Sequence, residues 1–515
     1  MKVISFHVQH DASVAVAEDG RLLAVLELER LFGQRYFESS NDRLEFRAQW
    51  RKAIDAIRAQ VGIDRFDIGV TSWVPPSQRA ILRELVAADE WRRVGHHHAH
   101  ALHGHCDSDF ARSLVLSYDG GGNDGTFRVF SVDAREVRPL DRIPLNLGTP
   151  FRVLATTMPE VTGSRPQPRH GHLALAGKLM AYAALGRPRE EWFRGIGEYF
   201  EHYQEPRQAL DALSESIGLD LEPDSLDAET ARDLAASAQA VFVRLLARVA
   251  DRFRDEAHDG LVLTGGCALN VVANQWMREH WSRPVHVPPA PNDAGIAVGA
   301  LWSVERPTET PDTYSGLPLL WDVDHAALVQ RGARRGSPDE LAAVLARGAV
   351  VGVAHGRAEH GPRALGHRSI LALAGDASIR DRINERIKSR EWYRPVAPVV
   401  REGDAARLFG QACTAPSMSF APALLADAAR RFPAVSHVDG TARVQTVRPG
   451  QFLHALLDAL EGLGVEPVLV NTSFNIRAQP LIHRASEALE ALDQTALDFA
   501  WIEGWLVPKR PTAHG

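Results

Sequence analysis

Residues 113–133 read "SLVLSYDGGGNDGTFRVFSVD", and the fold turns on how they are read. An apolar, β-branched run ends in a glycine-rich turn, and a second run follows in which apolar and polar residues alternate. That is strand, tight turn, strand. A third, weaker strand is expected near "EVRPLDRIPL" (136–145). The beginning of the chain repeats the sketch with "KVISFHV" (2–8), "ASVAVAE" (12–18) and "RLLAVLELE" (21–29), the last two separated by the turn dipeptide Asp19-Gly20. Two such copies, about 110 residues apart, predict a duplicated α/β domain.

Outward from the second copy, residues 225–258 have helical spacing and lead into "GLVLTGGCALN" (260–270), a buried strand, a double-glycine turn and a helix start. Residues 303–320, "SVERPTETPDTYSGLPLL", lack periodicity and are rich in Pro, Thr and Ser, as in a linker. From "SPDELAAVLARGAVVGVAHG" (337–356) helix and strand alternate again through "EPVLVNTSFN" (466–475). The expected layout is a first domain over 1–305, a linker over 306–335 and a second α/β domain over 336–515. The duplicated first domain resembles actin-like, sugar-kinase-like ATPases, in which each half offers a glycine turn to phosphates.

The 515 residues are 45% hydrophobic and 24% charged, an ordinary globular composition too long for one core. Net charge is -7, so no global field favours nucleic acid. Cys106, Cys267 and Cys413 are too few and too scattered for a disulfide framework or a cysteine knuckle. No long apolar run reads as a signal peptide or membrane span, and the expectation is a cytoplasmic protein. Five lysines stand against 53 arginines in the 58 basic residues, so Lys388 is a lysine in a chain that otherwise uses arginine.

Four groups of residues carry chemistry. "HHHAHALHGH" (96–105) is compatible with a helix that places His96 and His100 at i and i+4 on one face, with His103 near the same stripe. Two imidazoles one turn apart can share a metal ion, with Asp119 and Asp293 as oxygen ligands. That set suits Fe(II), Mn or Zn. The alternative is a solvated histidine-rich helix. The turns "DGGGNDG" (119–125) and "TGGCALN" (264–270) present backbone N–H groups of the kind that bind phosphate, although most strand-ending glycines only make turns. His10-Asp11 ends the first strand, where a near-neutral imidazole can act as general base toward an alcohol. In the second domain Arg357, Arg363, Arg368, Lys388, Arg390, Arg394 and Arg443 recur beside Gly, Pro and small residues, as expected of an anion pocket rather than a solvated basic face.

Ten ordered stretches, among them "HHHAHA", "SYDGGGNDG", "LTGGCALN", "NDAGIAVGA", "EHGPRALGHRSIL", "KSREWYRPVAPVV" and "NTSFN", resemble the O-carbamoyltransferases of nodulation and antibiotic biosynthesis. The resemblance implies an actin-like (ASKHA, Kae1-like) domain followed by a YrdC-like domain. It implies ATP, as its magnesium complex, and carbamoyl phosphate as co-substrates forming carbamoyladenylate. A hydroxyl-bearing small molecule is the acceptor, and a divalent metal, Fe(II) first, with Mn or Zn as alternatives, is the cofactor. By position it assigns the metal to His96, His100, Asp119 and Asp293, and catalysis to His10, Asp11, Lys388 and Arg390. Nucleotide contacts in the first domain fall to Gly121, Gly122, Gly265, Gly266 and Asn270. ATP and carbamoyl phosphate contacts fall to Arg363, Arg368, Lys388, Arg390, Arg394, Arg443, Asn471 and Ser473. His97 is expected near the metal ligands or on the substrate side, and His98, His103 and His105 are expected to be incidental. The chain departs from the family pattern at His360, where Phe is usual, and at Gln479, where Glu is common.

Two other readings compete: a threonylcarbamoyladenosine-type tRNA modification enzyme, which the negative charge disfavours, and a non-catalytic nucleotide- and metal-binding module. No membrane or nucleic-acid partner is expected, and the chain is expected to be a monomer or homodimer. The acceptor is not written in the motifs. The stretch from 150 to 230, including "PEVTGSRPQPRHGH" (159–172) and "EEWFRGIGEYFEHY" (190–203), is where its binding site is expected.

Overall fold

In the computed structural model, strand β1 (Lys2–His7) pairs antiparallel with β2 (Ser13–Glu18), and β2 pairs antiparallel with β3 (Arg21–Glu27). β4 (Arg65–Thr71) runs parallel along the other side of β1, and β5 (Ala87–Arg93) runs parallel to β4. The sheet order is β3-β2-β1-β4-β5. The second half repeats this plan with β6 (Arg112–Tyr118), β7 (Phe127–Asp133), β8 (Val137–Arg142), β9 (Gly260–Thr264) and β10 (Val285–His286), in the order β8-β7-β6-β9-β10. Its pairings have the same senses, antiparallel through β6, β7 and β8 and parallel through β6, β9 and β10. Even the irregularity recurs: the β2–β3 register shifts between Val16 and Ala17, and the β7–β8 register between Val129 and Phe130. The duplication read from two sequence stretches is therefore a duplication of topology, consistent with the actin-like expectation. The structure describes residues 1–163, 170–223, 225–254, 257–476 and 479–510.

Two helices share a core with both sheets. His96–Asp107 and Ile296–Trp302 contribute Ala101, Leu102, Val298 and Leu301, which pack with Val3, Val25 and Val70 from one sheet and Val115, Val132 and Val262 from the other. The approach of the helices is set by glycine. A Cβ on Gly299 would lie 1.9 Å from the carbonyl oxygen of Ala99, and no side chain fits there without moving the backbone. This contact fixes the spacing of the two elements that carry the proposed metal ligands.

The chain divides into two compact units, residues 1–315 and 316–515, at Ser315/Gly316 and inside the segment expected to be a linker. That segment is held on each side. The Thr308 amide donates to the Gly20 carbonyl, while Pro318 and Leu320 bridge to Arg357 and Arg484. The second unit holds a mixed sheet in the order β11-β18-β17-β12-β13-β16-β14-β15. Its strands are β11 (Arg334–Arg335), β12 (Val351–Ala354), β13 (Arg368–Leu373), β14 (Ala397–Arg401), β15 (Gln445–Val447), β16 (Leu469–Ser473), β17 (Phe499–Ile502) and β18 (Trp505–Pro508). Helices Pro338–Ala346 and Phe452–Gly462 supply Leu341, Leu345, Leu453 and Leu457 to its core. Among the described residues no helix is long and apolar enough to cross a membrane.

Gly299→Ala forces a methyl group against the Ala99 carbonyl. It should lower stability by about 1–3 kcal/mol, the usual cost of overpacking, read as a lower urea midpoint. An unchanged midpoint would contradict this account of the helix contact.

Candidate functional site

The histidine-rich helix is not a solvated one. His96, His97, His100, His103 and His105 are buried, and only His98 among the six is partly exposed. His97 is a structural bond. Its Nε2 stands 3.0 Å from the Gly125 carbonyl and its Nδ1 2.8 Å from Ser117 Oγ. A carbonyl only accepts, so Nε2 carries the proton, and the helix is pinned to the glycine turn. Burial, the largest cause, and the neighbouring histidines push its pKa down to about 4, which keeps it neutral. His105 bonds Ser113 Oγ at 2.8 Å and is likewise pushed down to about 4, by burial first. Both histidines thus anchor the helix to β6.

His96 and His100 face the other way and meet two carboxylates. His100 Nε2 lies 3.3 Å from Asp293 Oδ1 and 3.5 Å from Asp119 Oδ2, and His96 Nε2 lies 3.8 Å from each of the same two atoms. The four ligand atoms all fall within 4.8 Å of one another. Asp119 follows β6 and accepts from the amides of Gly120 at 2.6 Å and Gly266 at 2.8 Å, so both glycine turns hold one carboxylate. Gly265 makes this possible. Its φ is +90, and a Cβ there would sit 2.2 Å from the Tyr118 carbonyl oxygen. Gly122 lies against His96, and Gly121 faces open space. Asn270, expected to touch nucleotide, caps helix Val271–His280 through the Ala273 amide and exchanges hydrogen bonds with Gln239.

His10 lies beside this cluster, with Nε2 3.7 Å from Asp293 Oδ2 and Nδ1 3.4 Å from Asp11 Oδ2. Asp11, at φ 57, also accepts from Asn292 Nδ2 at 3.1 Å. The sequence reading missed His7. It is buried on the inward face of β1, 3.5 Å from Asp293 Oδ2, with contacts to Ser72 Oγ and the His10 carbonyl. Its place at an inward position of a core strand was the available signal. Burial, the largest influence on His10 and His100, opposes their charging, but the carboxylates outweigh it and raise the two pKa values to about 10 and about 9. Asp293 and Asp119 are likewise opposed by burial and held below the carboxylate range by the histidines around them.

The residues fit a divalent cation. His96 Nε2 has no hydrogen-bond partner among the described residues, although it is buried between two carboxylates. Donors around a tetrahedral ion at about 2.0–2.2 Å stand about 3.3–3.6 Å apart, close to the spacing seen. Two imidazoles and two carboxylates can hold Fe(II), Mn or Zn.

In the second unit three of the expected arginines bear on a fourth, Arg443. Arg443 is partly buried, its Nε lacks a partner among the described residues, and its pKa is pushed down by burial first and then by Arg363, Arg390 and Arg394. Lys388 donates to Ser473 O at 2.6 Å and Ser473 Oγ at 2.8 Å, and also to Asn475 Oδ1. Asn475 therefore joins the set, although only its motif was legible. Arg390 Nε donates to Asn384 Oδ1 at 2.8 Å. Two of the residues expected to contact ATP and carbamoyl phosphate also bond other parts of the second unit. Arg368 is fully buried and donates to the carbonyls of His355, His367 and Gly356. Asn471 is fully buried and donates to Ala364 O and Gln445 Oε1. Both brace the loop at 359–368. The organiser of that loop is Glu359, whose Oε1 accepts from the amides of Leu365, His367 and Arg368. Gln479 takes part through its carbonyl, which accepts from Asn475 Nδ2.

Residues 82–302 match the carbamoyltransferase N-terminus and residues 342–509 the carbamoyltransferase C-terminus. Nodulation protein U of Sinorhizobium fredii (strain NBRC 101917 / NGR234) is 30% identical over 581 residues, covering 100% of both chains. The chain belongs to the carbamoyltransferase family. This carbamoyltransferase, an enzyme of transferase type, is also 33% identical over 404 residues to the 3'-hydroxymethylcephem-O-carbamoyltransferase of Streptomyces clavuligerus, covering 71% of this chain and 70% of that one. Among solved structures, T. kodakarensis HypF is similar over 58% of this chain and 47% of its own, at 16% identity and a TM-score of 0.37. The repeated strand order carries the fold assignment without it.

Metal and protons compete for His100. Its folded pKa is raised to about 9 from an unfolded value near 6.5. Its charged form therefore stabilises the metal-free protein fully below about pH 6.5, and that contribution is lost as pH rises through about 9. A cation needs the neutral imidazole, so the rise in Tm on adding Mn(II) should be larger at pH 8.5 than at pH 6. His96→Ala should abolish that rise and His105→Ala should leave it. Equal effects of the two substitutions, or a larger rise at pH 6, would contradict the assignment.

Proposed function

We propose that the chain is an ATP-dependent O-carbamoyltransferase acting on a hydroxyl of a small molecule. The second unit, read as YrdC-like, makes carbamoyladenylate, and the first, read as actin-like, transfers the carbamoyl group. The observation that carries this reading is the arginine set around Arg443. Three like charges bearing on the partly buried Arg443 guanidinium call for a multiply charged anion, and ATP with carbamoyl phosphate supplies one.

Carbamoyl phosphate loses inorganic phosphate to water and leaves carbamate, whose oxygen displaces pyrophosphate from the α-phosphorus of ATP. Carbamate is a poor electrophile because nitrogen donates into its carbonyl, and the mixed anhydride with AMP supplies a better leaving group. Arg363, Arg390, Arg394 and Arg443 hold the polyphosphate charge as it redistributes, while Lys388, set against Ser473 and Asn475, gives a compact cation. In the first unit His10 accepts the proton of the attacking hydroxyl, and Asp11 orients its ring through Nδ1. A divalent cation held by His96, His100, Asp119 and Asp293 supplies Lewis acidity and offsets the carboxylate field that raises the pKa of His10. The glycine turns around Asp119 present amides to the adenylate phosphate.

The two halves separate by mutation. Arg443→Ala should abolish carbamoyl phosphate-dependent pyrophosphate release. His10→Ala should keep that release and lose about 10²–10⁴-fold in transfer to the alcohol. Pyrophosphate release from wild type that does not depend on carbamoyl phosphate would refute the proposal, as would its survival in Arg443→Ala.

A further inference from the structure

Helix Gly148–Leu154 is docked onto the glycine turn that follows Asp119. Thr149 Oγ1 donates to the Gly120 carbonyl at 2.7 Å, and Asn146 Nδ2 donates to it at 3.3 Å. One turn along this helix is Arg152, partly buried, with no hydrogen bond or ion pair to a carboxylate among the described residues. Its neighbours include the neutral phenols Tyr199 and Tyr203, and His172. Tyr199 donates its hydroxyl to the Pro150 carbonyl at 3.0 Å, which ties helix Phe193–Glu201 to the start of the helix that carries Arg152. Tyr203, 5.7 Å from Tyr199 ring to ring, has a buried hydroxyl with no hydrogen-bond partner among the described residues. The patch is tied to the metal-site carboxylate through Gly120, whose carbonyl accepts from Thr149 and whose amide donates to Asp119, and His172 lies within reach of the charges of both Arg152 and His10.

The acid that bears on Tyr203 is Glu205, which is exposed, and three acids nearer His10 have partners. Glu38 is paired with His170 at 2.9 Å, Asp11 with Asn292 and His10, and Glu29 with the Tyr36 amide and Arg35. What remains among the described residues is a partly buried guanidinium one helical turn from Thr149, which bonds the Gly120 carbonyl next to Asp119, and a phenol hydroxyl without a hydrogen-bond partner. Leaving such groups unmatched costs free energy that a ligand anion recovers. Residues 164–169 of the stretch expected to face the acceptor lie outside the described residues.

We infer that the acceptor carries an anionic group, a carboxylate first, which Arg152 binds as a charge-assisted pair with a second hydrogen bond from Tyr203, so that its hydroxyl comes to His10. The inference rests on the carbamoyl-transfer reading of this site and names the acceptor class. Arg152 and Tyr203 are specificity-determining and not catalytic, because they act on the ligand away from the reacting carbon. The other source of an anion here is the phosphate of carbamoyladenylate, and the test separates the two.

Primary alcohols bearing a carboxylate, 3-hydroxymethylcephem acid among them, are each compared with their methyl esters. The readouts are carbamoyl phosphate-dependent AMP release with each alcohol, pyrophosphate release without any alcohol, and binding to the full chain by ligand-observed NMR. An acid should exceed its ester by about tenfold or more in kcat/KM, as a charge-assisted bond implies. Arg152→Gln should bring that ratio close to one and Tyr203→Phe should lower it severalfold, with pyrophosphate release unchanged in both. The inference is overturned if no acid is preferred in binding or turnover, if the preference survives Arg152→Gln, or if that substitution slows acid and ester equally, which would assign Arg152 to the adenylate phosphate. Loss of pyrophosphate release in the wild type would instead strike the transfer reading, and the NMR preference would still decide the acceptor question.

Discussion

Two carboxylates, Asp119 and Asp293, are buried within one small space and repel each other. A protein interior does not tolerate that arrangement without compensating cations. Here His100 and His10 supply that charge, His96 and His7 stand beside the same carboxylates, and the surrounding structure brings those rings to the two acids. Gly299 lets the helices touch, so that Asp293 reaches the histidine helix. Gly265 and the Gly266 amide let the second glycine turn grip Asp119. His97 and His105 fasten the helix to the strand that ends at Asp119. A cation suits this site because it meets both acids at once and lets the histidines be neutral.

The second unit meets the opposite constraint, positive charges concentrated around Arg443. Its loop geometry is built by Glu359, which gathers three backbone amides and so fixes the turn that carries Arg363. Arg368 and Asn471 belong to the same construction, one filling carbonyl acceptors and the other bridging to Gln445.

Much of this was legible in the sequence because strand periodicity and turn glycines are local signals. The six leading strands, the i and i+4 pair His96/His100 and the carboxylate at the end of β6 were all readable, and so was Asp293 from its motif. What was not legible depends on contacts between distant segments. Nothing local distinguishes Arg368, which is spent on backbone carbonyls, from Arg443, which is not. The burial of His103 and His105 follows from a helix packed between two sheets, so the solvated alternative could be rejected only once both faces were seen to be covered. His7 was hidden for the same reason, being an inward polar residue in a core strand whose partner, Asp293, is 286 positions away in a chain of 515. Arg152 and Tyr203 fall in the stretch expected to face the acceptor, but that neither the guanidinium nor the phenol hydroxyl finds a hydrogen-bond partner among the described residues is visible only in three dimensions.

The central claim is that the paired acids and histidines of the first unit form one cation site. Pulsed electron paramagnetic resonance of the Mn(II)-loaded full chain tests it directly. The account predicts nitrogen couplings from two imidazoles, reduced to one by His100→Ala. A Mn(II) spectrum without imidazole nitrogen, or one unchanged by that substitution, would contradict it.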